Sequence, residues 1–320
     1  MNERINTLKT DNGLVTGRLV RDYPSWLDFV GASQVAVDSP EATDPKLGGQ
    51  ASTRVVRIQA NSKFWGTGTY AEALKLAKDG WPEGRAIVEP LRQRVLAAVK
   101  GAPRDYRQTG HWTVAGAGVN IGRYLQGRPD CMRGFRATLQ AKRGKVITVA
   151  LHGSATFDWL PVEYHRRGAA VAVLCDALES AGFRVEILVS FSTCNVARSR
   201  QRKACQTSVG YADVITLKMP DEPLDLDELY FALCHPDAQR RISFALLEGL
   251  SAGMRRVLRV YLPHGSYGAP WTQVPLPADV GDEAIEVAHN DSRFHTEAGV
   301  VWWVLEQLEN QGVEIDRETT

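Results

Sequence analysis

Residues 146–151, VITVAL, form an uncharged apolar run that stops abruptly at the small, hydroxyl-bearing loop His152-Gly153-Ser154-Ala155-Thr156. A run without apolar/polar alternation suits a strand covered on both faces, as in a parallel sheet. In open α/β sheets the loops at the carboxyl ends of strands face the crevice where ligands or partners bind. His152, Ser154 and Thr156 are therefore candidates for a partner- or ligand-facing edge. The tripeptide His-Gly-Ser recurs at His264-Gly265-Ser266, after the apolar run 257–262. Two parallel strands would put both loops on one edge and add His264 and Ser266 to it.

Around these runs, strand-like and helix-like segments alternate from about residue 145, in the manner of a doubly wound sheet. The pattern predicts a strand over 146–151, a helix over 167–181, a strand over 184–190 and an antiparallel hairpin strand over 213–219. Helices over 225–234 and 237–251 follow, then a strand over 257–262, a Pro-rich loop over 263–282, a short strand over 284–288 and a last helix over 297–311. Upstream, Pro24, Pro40, Pro45 and Gly48-Gly49 interrupt modest apolar clusters, and residues 1–53 read as an irregular arm with one short helix. A small α+β region over 54–144 holds a strand at 54–60, a Gly-rich turn at 64–68, a helix over 70–78 stopped by Gly80, a helix over 86–99, and a strand-like or irregular stretch at 110–132. The fold class expected is α/β: a Rossmannoid open sheet over 145–320 with an N-terminal α+β extension.

Composition narrows the partners. Thirty-eight basic residues face 37 acidic ones in a chain of 320, so no global field favours nucleic acid or an anionic membrane. The opening MNERINTLKTDNG is polar, and no run of about 18 apolar residues follows it, so neither a signal peptide nor a membrane span is expected, and the setting expected is cytoplasmic. Five cysteines, mostly inside apolar segments, point to reduced thiols rather than a disulfide scaffold.

The chemistry-bearing residues converge on no reaction. Seven histidines include His152 and His264 at predicted strand ends, with His235, His289 and His295 near segment boundaries, and imidazoles with Asp291 could ligate a transition metal. No pair falls at the i, i+4 spacing or in a Cys-x-x-Cys frame, so no metal ligand, catalytic residue or cofactor is assigned. Ser154 and Ser266 lack the Gly-x-Ser-x-Gly elbow of a strained nucleophile. The strings Gly66-Thr67-Gly68 and Gly116-Ala117-Gly118 lack the lysine of a phosphate loop and read as turns. The run Arg198-Ser199-Arg200-Gln201-Arg202-Lys203 offers four cations, Arg198, Arg200, Arg202 and Lys203, for phosphates, for a protein partner, or simply for solvent. In Trp302-Trp303, Val301, Leu305 and Leu308 mark a buried face that takes one indole and leaves the other nearer the edge.

Two resemblances add to this. The strings Phe64-Trp65-Gly66-Thr67-Gly68-Thr69-Tyr70 with Glu72-Ala73-Leu74, Gly80-Trp81-Pro82-Glu83-Gly84, Leu125-Gln126-Gly127-Arg128-Pro129-Asp130-Cys131-Met132, and Arg166-Arg167-Gly168-Ala169-Ala170 before Ala177-Leu178-Glu179 resemble, in their order, an uncharacterised family of bacteriophages and mobile elements. That resemblance implies an origin and no reaction. Residues 145–311 resemble a von Willebrand factor A domain whose Asp-x-Ser-x-Ser/Thr metal loop has become His152-Gly153-Ser154-Ala155-Thr156. Ser154 and Thr156 keep the hydroxyls, whereas histidines, His152 and His264, stand where the resemblance calls for aspartates. It implies a metal-free recognition domain. The function expected is non-enzymatic: protein–protein interaction or self-association, with no membrane partner. The alternatives are a nucleic-acid-associated accessory protein working through residues 198–203, and a metal-dependent hydrolase built on the strand-end histidines.

Overall fold

The computed structural model describes residues 2–11, 14–44, 64–99, 106–116, 118–119, 121–139, 145–194, 210–222, 224, 226–258, 267, 269–271, 274–277, 280 and 284–316. Nine strands are named among them: β1 (Asn2–Asp11), β2 (Leu14–Tyr23), β3 (Tyr106–Thr113), β4 (Gly118–Val119), β5 (Met132–Leu139), β6 (Val146–His152), β7 (Arg184–Cys194), β8 (Gly210–Lys218) and β9 (Ile285–Val287). Six form the main sheet in the order β1-β2-β8-β7-β6-β9, and β3-β5-β4 form a small antiparallel one. In the main sheet the β2–β8, β6–β7 and β6–β9 pairs are parallel, while β1–β2 and β7–β8 are antiparallel. The fold is thus mixed α/β with a mostly parallel sheet.

Two expectations need correction. The described residues between 2 and 44 do not form an irregular arm: β1 and β2 pair antiparallel, β2 runs parallel to β8 from Arg18↔Gly210 to Tyr23↔Ile215, and the helix Trp26–Val37 follows. The apolar signal in β2 is diluted by arginine and aspartate, which hid a strand lying second from the edge. The sheet is also not doubly wound among the described residues. Alternate strand residues such as Leu19, Ile147, Leu151, Ile187, Phe191 and Ile215 join one core with residues of the helices Trp26–Val37, Tyr70–Asp79, Gly84–Ala98, Pro161–Ser180, Leu226–Cys234 and Glu297–Asn310. The other face carries Val20, Ala150, Leu188, Ala212 and Val214, which pack against Trp271, Val274 and Leu276 of a Pro-rich segment. With two alanines among them, these outward residues leave a thin layer that an extended segment fills without a helix.

Local chemistry accounts for the helix starts. Thr69 accepts from the Glu72 N–H at 3.1 Å while Glu72 accepts from the Thr69 N–H at 3.2 Å, a reciprocal box that starts Tyr70–Asp79. Pro161 opens the helix Pro161–Ser180, where Glu163 accepts from the Leu160 N–H. Thr296 caps Glu297–Asn310 through the Gly299 N–H. Trp303 is buried in that helix and Trp302 lies half out, under the Arg293 guanidinium, as the spacing of the apolar stripe requires.

Two further readings change. Val257 and Leu258, expected to open a strand, belong to the helix Ala252–Leu258, and the rest of that segment lies outside the described residues. Cys194 is disulfide-bonded, whereas Cys131, Cys175 and Cys234 are free; burial pushes the thiols of Cys175 and Cys234 far up and keeps them protonated. No described helix is long and apolar enough to cross a membrane.

Candidate functional site

The crossover through Pro161–Ser180 carries the chain from β6 to β7 on one side of it, while β9 joins β6 on the other. The carboxyl ends of β6 and β9 therefore flank a point where the topology switches direction, the usual position of a crevice in open α/β sheets. His152 is the last residue of β6, and His289 follows β9 by two residues. Their rings lie 5.4 Å apart, edge to face. Among the described residues, His289 is thus the histidine whose ring meets His152. His264 and Ser266, like the basic run Arg198, Arg200, Arg202 and Lys203, lie outside the described residues.

The edge is closed rather than open. His152, Gly153, Ser154 and Ala155 are all buried, and Thr156 is only partly exposed. The Ser154 hydroxyl accepts from the Ser192 N–H at 2.8 Å, so the residue expected to face a ligand is spent on the neighbouring strand. A Cβ on Gly153 would stand 2.5 Å from the Phe191 ring, which explains glycine at that turn. Thr193 bonds the Tyr267 carbonyl, and the Ser192 hydroxyl accepts from the Trp271 N–H, drawing the Pro-rich segment over the strand ends. Thr156 stands apart from this set, and its hydroxyl bond holds the Asp158 carboxyl below its ordinary value.

Beneath the loop lies a fixed cation. Arg167, fully buried, donates to the Gly153 carbonyl at 3.0 Å and to the Ser154 carbonyl at 3.4 Å, and it stacks over the rings of Trp159 and Tyr164. Burial pushes its guanidinium down to about 10, leaving it charged near neutral pH. Burial, and then this cation, hold His289 at about 4, so its imidazole is neutral. Ser190 Oγ and His289 Nδ1 are buried without a hydrogen-bond partner among the described residues.

A second polar layer, which the sequence reading missed, clamps the loops around this edge. It sits on the π-helical turn Ala238–Ser243. Gln239 accepts from the Ala155 N–H at 2.9 Å, donates to the Ala155 carbonyl at 3.1 Å, and accepts from the Tyr164 hydroxyl. Arg240 donates to the carbonyls of Phe64 and Trp159, and Arg241 to those of Thr67 and Gly68. Asp237 accepts from the N–H groups of Gly66 and Thr67 and from the Thr67 hydroxyl at 2.6 Å. Gly66 runs so close to His235 that a Cβ would lie 2.3 Å from its ring, so no larger residue fits there. The signal was available: Gln239-Arg240-Arg241 interrupts an otherwise apolar helical segment, and charges inside such a segment are buried only when paired or hydrogen-bonded.

Such an arrangement can hold a rigid edge but has no convergent acid, base and nucleophile. Among the described residues, no group of three or more histidine, cysteine, aspartate or glutamate side chains is placed to hold a metal ion. On the turn that connects β6 to the next helix, Phe157 is 85% exposed and Leu160 54% exposed, with the exposed Asp158 between them.

A family model described as a domain of unknown function, DUF7192, matches residues 6–315. The chain belongs to that family. The match runs from within β1 to just beyond the last helix, so it spans strands of both sheets and the clamped loops. No curated protein and no solved structure matches the chain.

Proposed function

We propose that this member of the DUF7192 family is a non-enzymatic protein that self-associates through the carboxyl edge of a metal-free, von Willebrand A-like sheet. The observation that carries the reading is Arg167. Its buried guanidinium bonds the carbonyls of the very loop that resembles a metal loop, so a fixed positive charge stands where a hard cation would otherwise be attracted. The hydroxyl that would face such a cation, on Ser154, is occupied by Ser192. The chain order of strand, loop, helix, strand, antiparallel strand, helices and strand supports the von Willebrand A-like assignment. The order of the sequence motifs supports an origin in a phage or mobile element.

What the edge offers a partner is Phe157 and Leu160, two large apolar side chains on a turn otherwise anchored through Trp159, whose carbonyl is held by Arg240. Exposed aromatics on a rigid frame are characteristic anchors of protein interfaces. The test is the mass in solution by light scattering over a range of concentrations, for the wild type and for Phe157→Ser/Leu160→Ser, together with the absorbance ratio for bound nucleic acid. The expected result is a concentration-dependent oligomer free of nucleic acid, which the double variant reduces to monomer at unchanged thermal stability. A wild type that stays monomeric, or one that is retained on nucleic acid in a salt-sensitive way, overturns the reading.

A further inference from the structure

Away from that edge, the helices Gly84–Ala98, Pro161–Ser180 and Glu297–Asn310 enclose a pocket of about 360 Å³. Ligand pockets of this kind typically span about 300–1,000 Å³ and are mostly apolar with a few placed polar groups. This one fits the description. Ile87, Pro90, Leu91, Val162, Ala169 and Val300 supply apolar walls, and Arg94, His165, Arg166 and Glu297 supply the polar groups.

We infer that this pocket binds a small monocarboxylic acid with an apolar body, the carboxylate held between Arg94 and His165. Three features of the lining select that class. Arg94 makes no side-chain hydrogen bond or ion pair among the described residues, and Arg166 keeps one donor on the His295 carbonyl at 2.6 Å. Two guanidinium groups against the single carboxylate of Glu297 leave one positive charge, which matches a monoanion better than a phosphate. His165 lies partly buried against Trp81, and its ring nitrogens have no hydrogen-bond partner among the described residues. Desolvation lowers its pKa to about 4, so near neutral pH the ring is uncharged and can still donate one N–H to a carboxylate. Pro90 shapes the wall in a further way: lacking an N–H, it cannot bond the carbonyl of Ala86, one turn back and also in the lining.

Decanoate is a suitable probe, with decylammonium and decanol as partners of equal chain length. Calorimetry and thermal denaturation of the full chain should show saturable binding and stabilisation by decanoate, weaker binding of decanol, and none of decylammonium. The His165 ring signals should shift in NMR, and the His165 pKa should rise when the carboxylate is bound. Arg94→Gln alters an exposed side chain and should leave the free protein's melting temperature unchanged while weakening decanoate about tenfold or more, the loss expected for one charge-assisted hydrogen bond. Ala86→Trp, at another exposed lining position, should block the pocket and abolish binding. No saturable binding of decanoate, equal binding of decylammonium, or an Arg94→Gln variant that binds decanoate as tightly as the wild type would each overturn the proposal.

Discussion

Asp213 should make the stability of this protein depend on pH in an unusual direction. Its carboxyl is fully buried in β8, across from Arg21 of β2 and Phe191 of β7, and accepts from the Tyr211 hydroxyl at 2.7 Å. Desolvation raises its pKa from 3.8 to about 7, against the opposing pull of the Tyr211 hydrogen bond, the Arg21 charge and Tyr23. Between these two values the folded chain keeps a proton that the unfolded chain has released. Stability from this group therefore falls as the pH rises from about 4, and the loss is complete once the pH has passed 7. A displacement of about three pH units corresponds to about 4 kcal/mol. Asp213→Asn keeps an oxygen for Tyr211 but cannot ionise, so the variant should gain on the wild type by a few kcal/mol between pH 5 and 8. Histidines complicate the raw curves: burial holds His165, His235 and His289 at about 4, 3 and 4, so their contributions are lost as the pH falls below the unfolded value near 6.5. Comparing variant with wild type cancels that effect. Urea unfolding of both proteins at pH 5, 6, 7 and 8 gives the difference directly. A free-energy difference that stays constant across this range would refute the reasoning.

Asp237→Ala should cost about 3–5 kcal/mol, because it removes the acceptor of the Gly66 and Thr67 N–H groups and leaves the buried Arg241 without its carboxylate 3.6 Å away. Urea unfolding gives the size, and faster proteolysis near residue 66 would locate the loosened loop. Gly168→Ala should cost about 1–3 kcal/mol, since the added methyl would stand 2.3 Å from the Leu233 carbonyl and force two packed helices apart, a change read in the melting temperature.

The sequence disclosed those parts of the fold whose pattern was strong over many residues. The run into β6, the part of the helix Pro161–Ser180 from Arg167 onward, the pairing of β7 with β8 and the final helix were legible because burial on one or both faces leaves a periodic or continuous apolar signal. The strand β2 was not, because its LVTGRLVRDY mixes one helix-facing set, Leu19, Arg21 and Tyr23, with polar residues and a glycine. In the site, His152 and Ser154 were found from the strand end they occupy, but their role was misjudged: sequence places a loop at an edge without showing what folds over it. His289, expected only near a segment boundary, brings its ring to 5.4 Å from that of His152 from just beyond a strand three residues long. Arg167, Gln239 and Arg240 were hidden for a different reason. Charged and amide side chains in helices are ordinarily read as solvent-facing, and only the three-dimensional supply of backbone carbonyls makes burying them favourable.

Where the motif strings went in the fold bears on where function can be sought. Phe64 to Thr69 are drawn down onto Asp237, Arg240 and Arg241, and Arg166-Arg167-Gly168-Ala169-Ala170 supplies the cation beneath the β6 loop and the close approach to Leu233. Residues used this way stabilise loops against the sheet, and their removal would be felt as instability before it was felt as lost recognition. In the proposed reading, binding rests on side chains that this framework leaves uncommitted. Phe157 and Leu160 are such residues at the sheet edge, and Arg94 with His165 is such a set between the helices. The clamp and these surfaces are separable by experiment: substitutions at Phe157 or Arg94 should change association or ligand affinity at constant melting temperature, whereas those at Asp237 or Gly168 should lower the melting temperature first. An Arg94→Gln variant as unstable as Asp237→Ala would mean that the pocket rim is part of the framework after all.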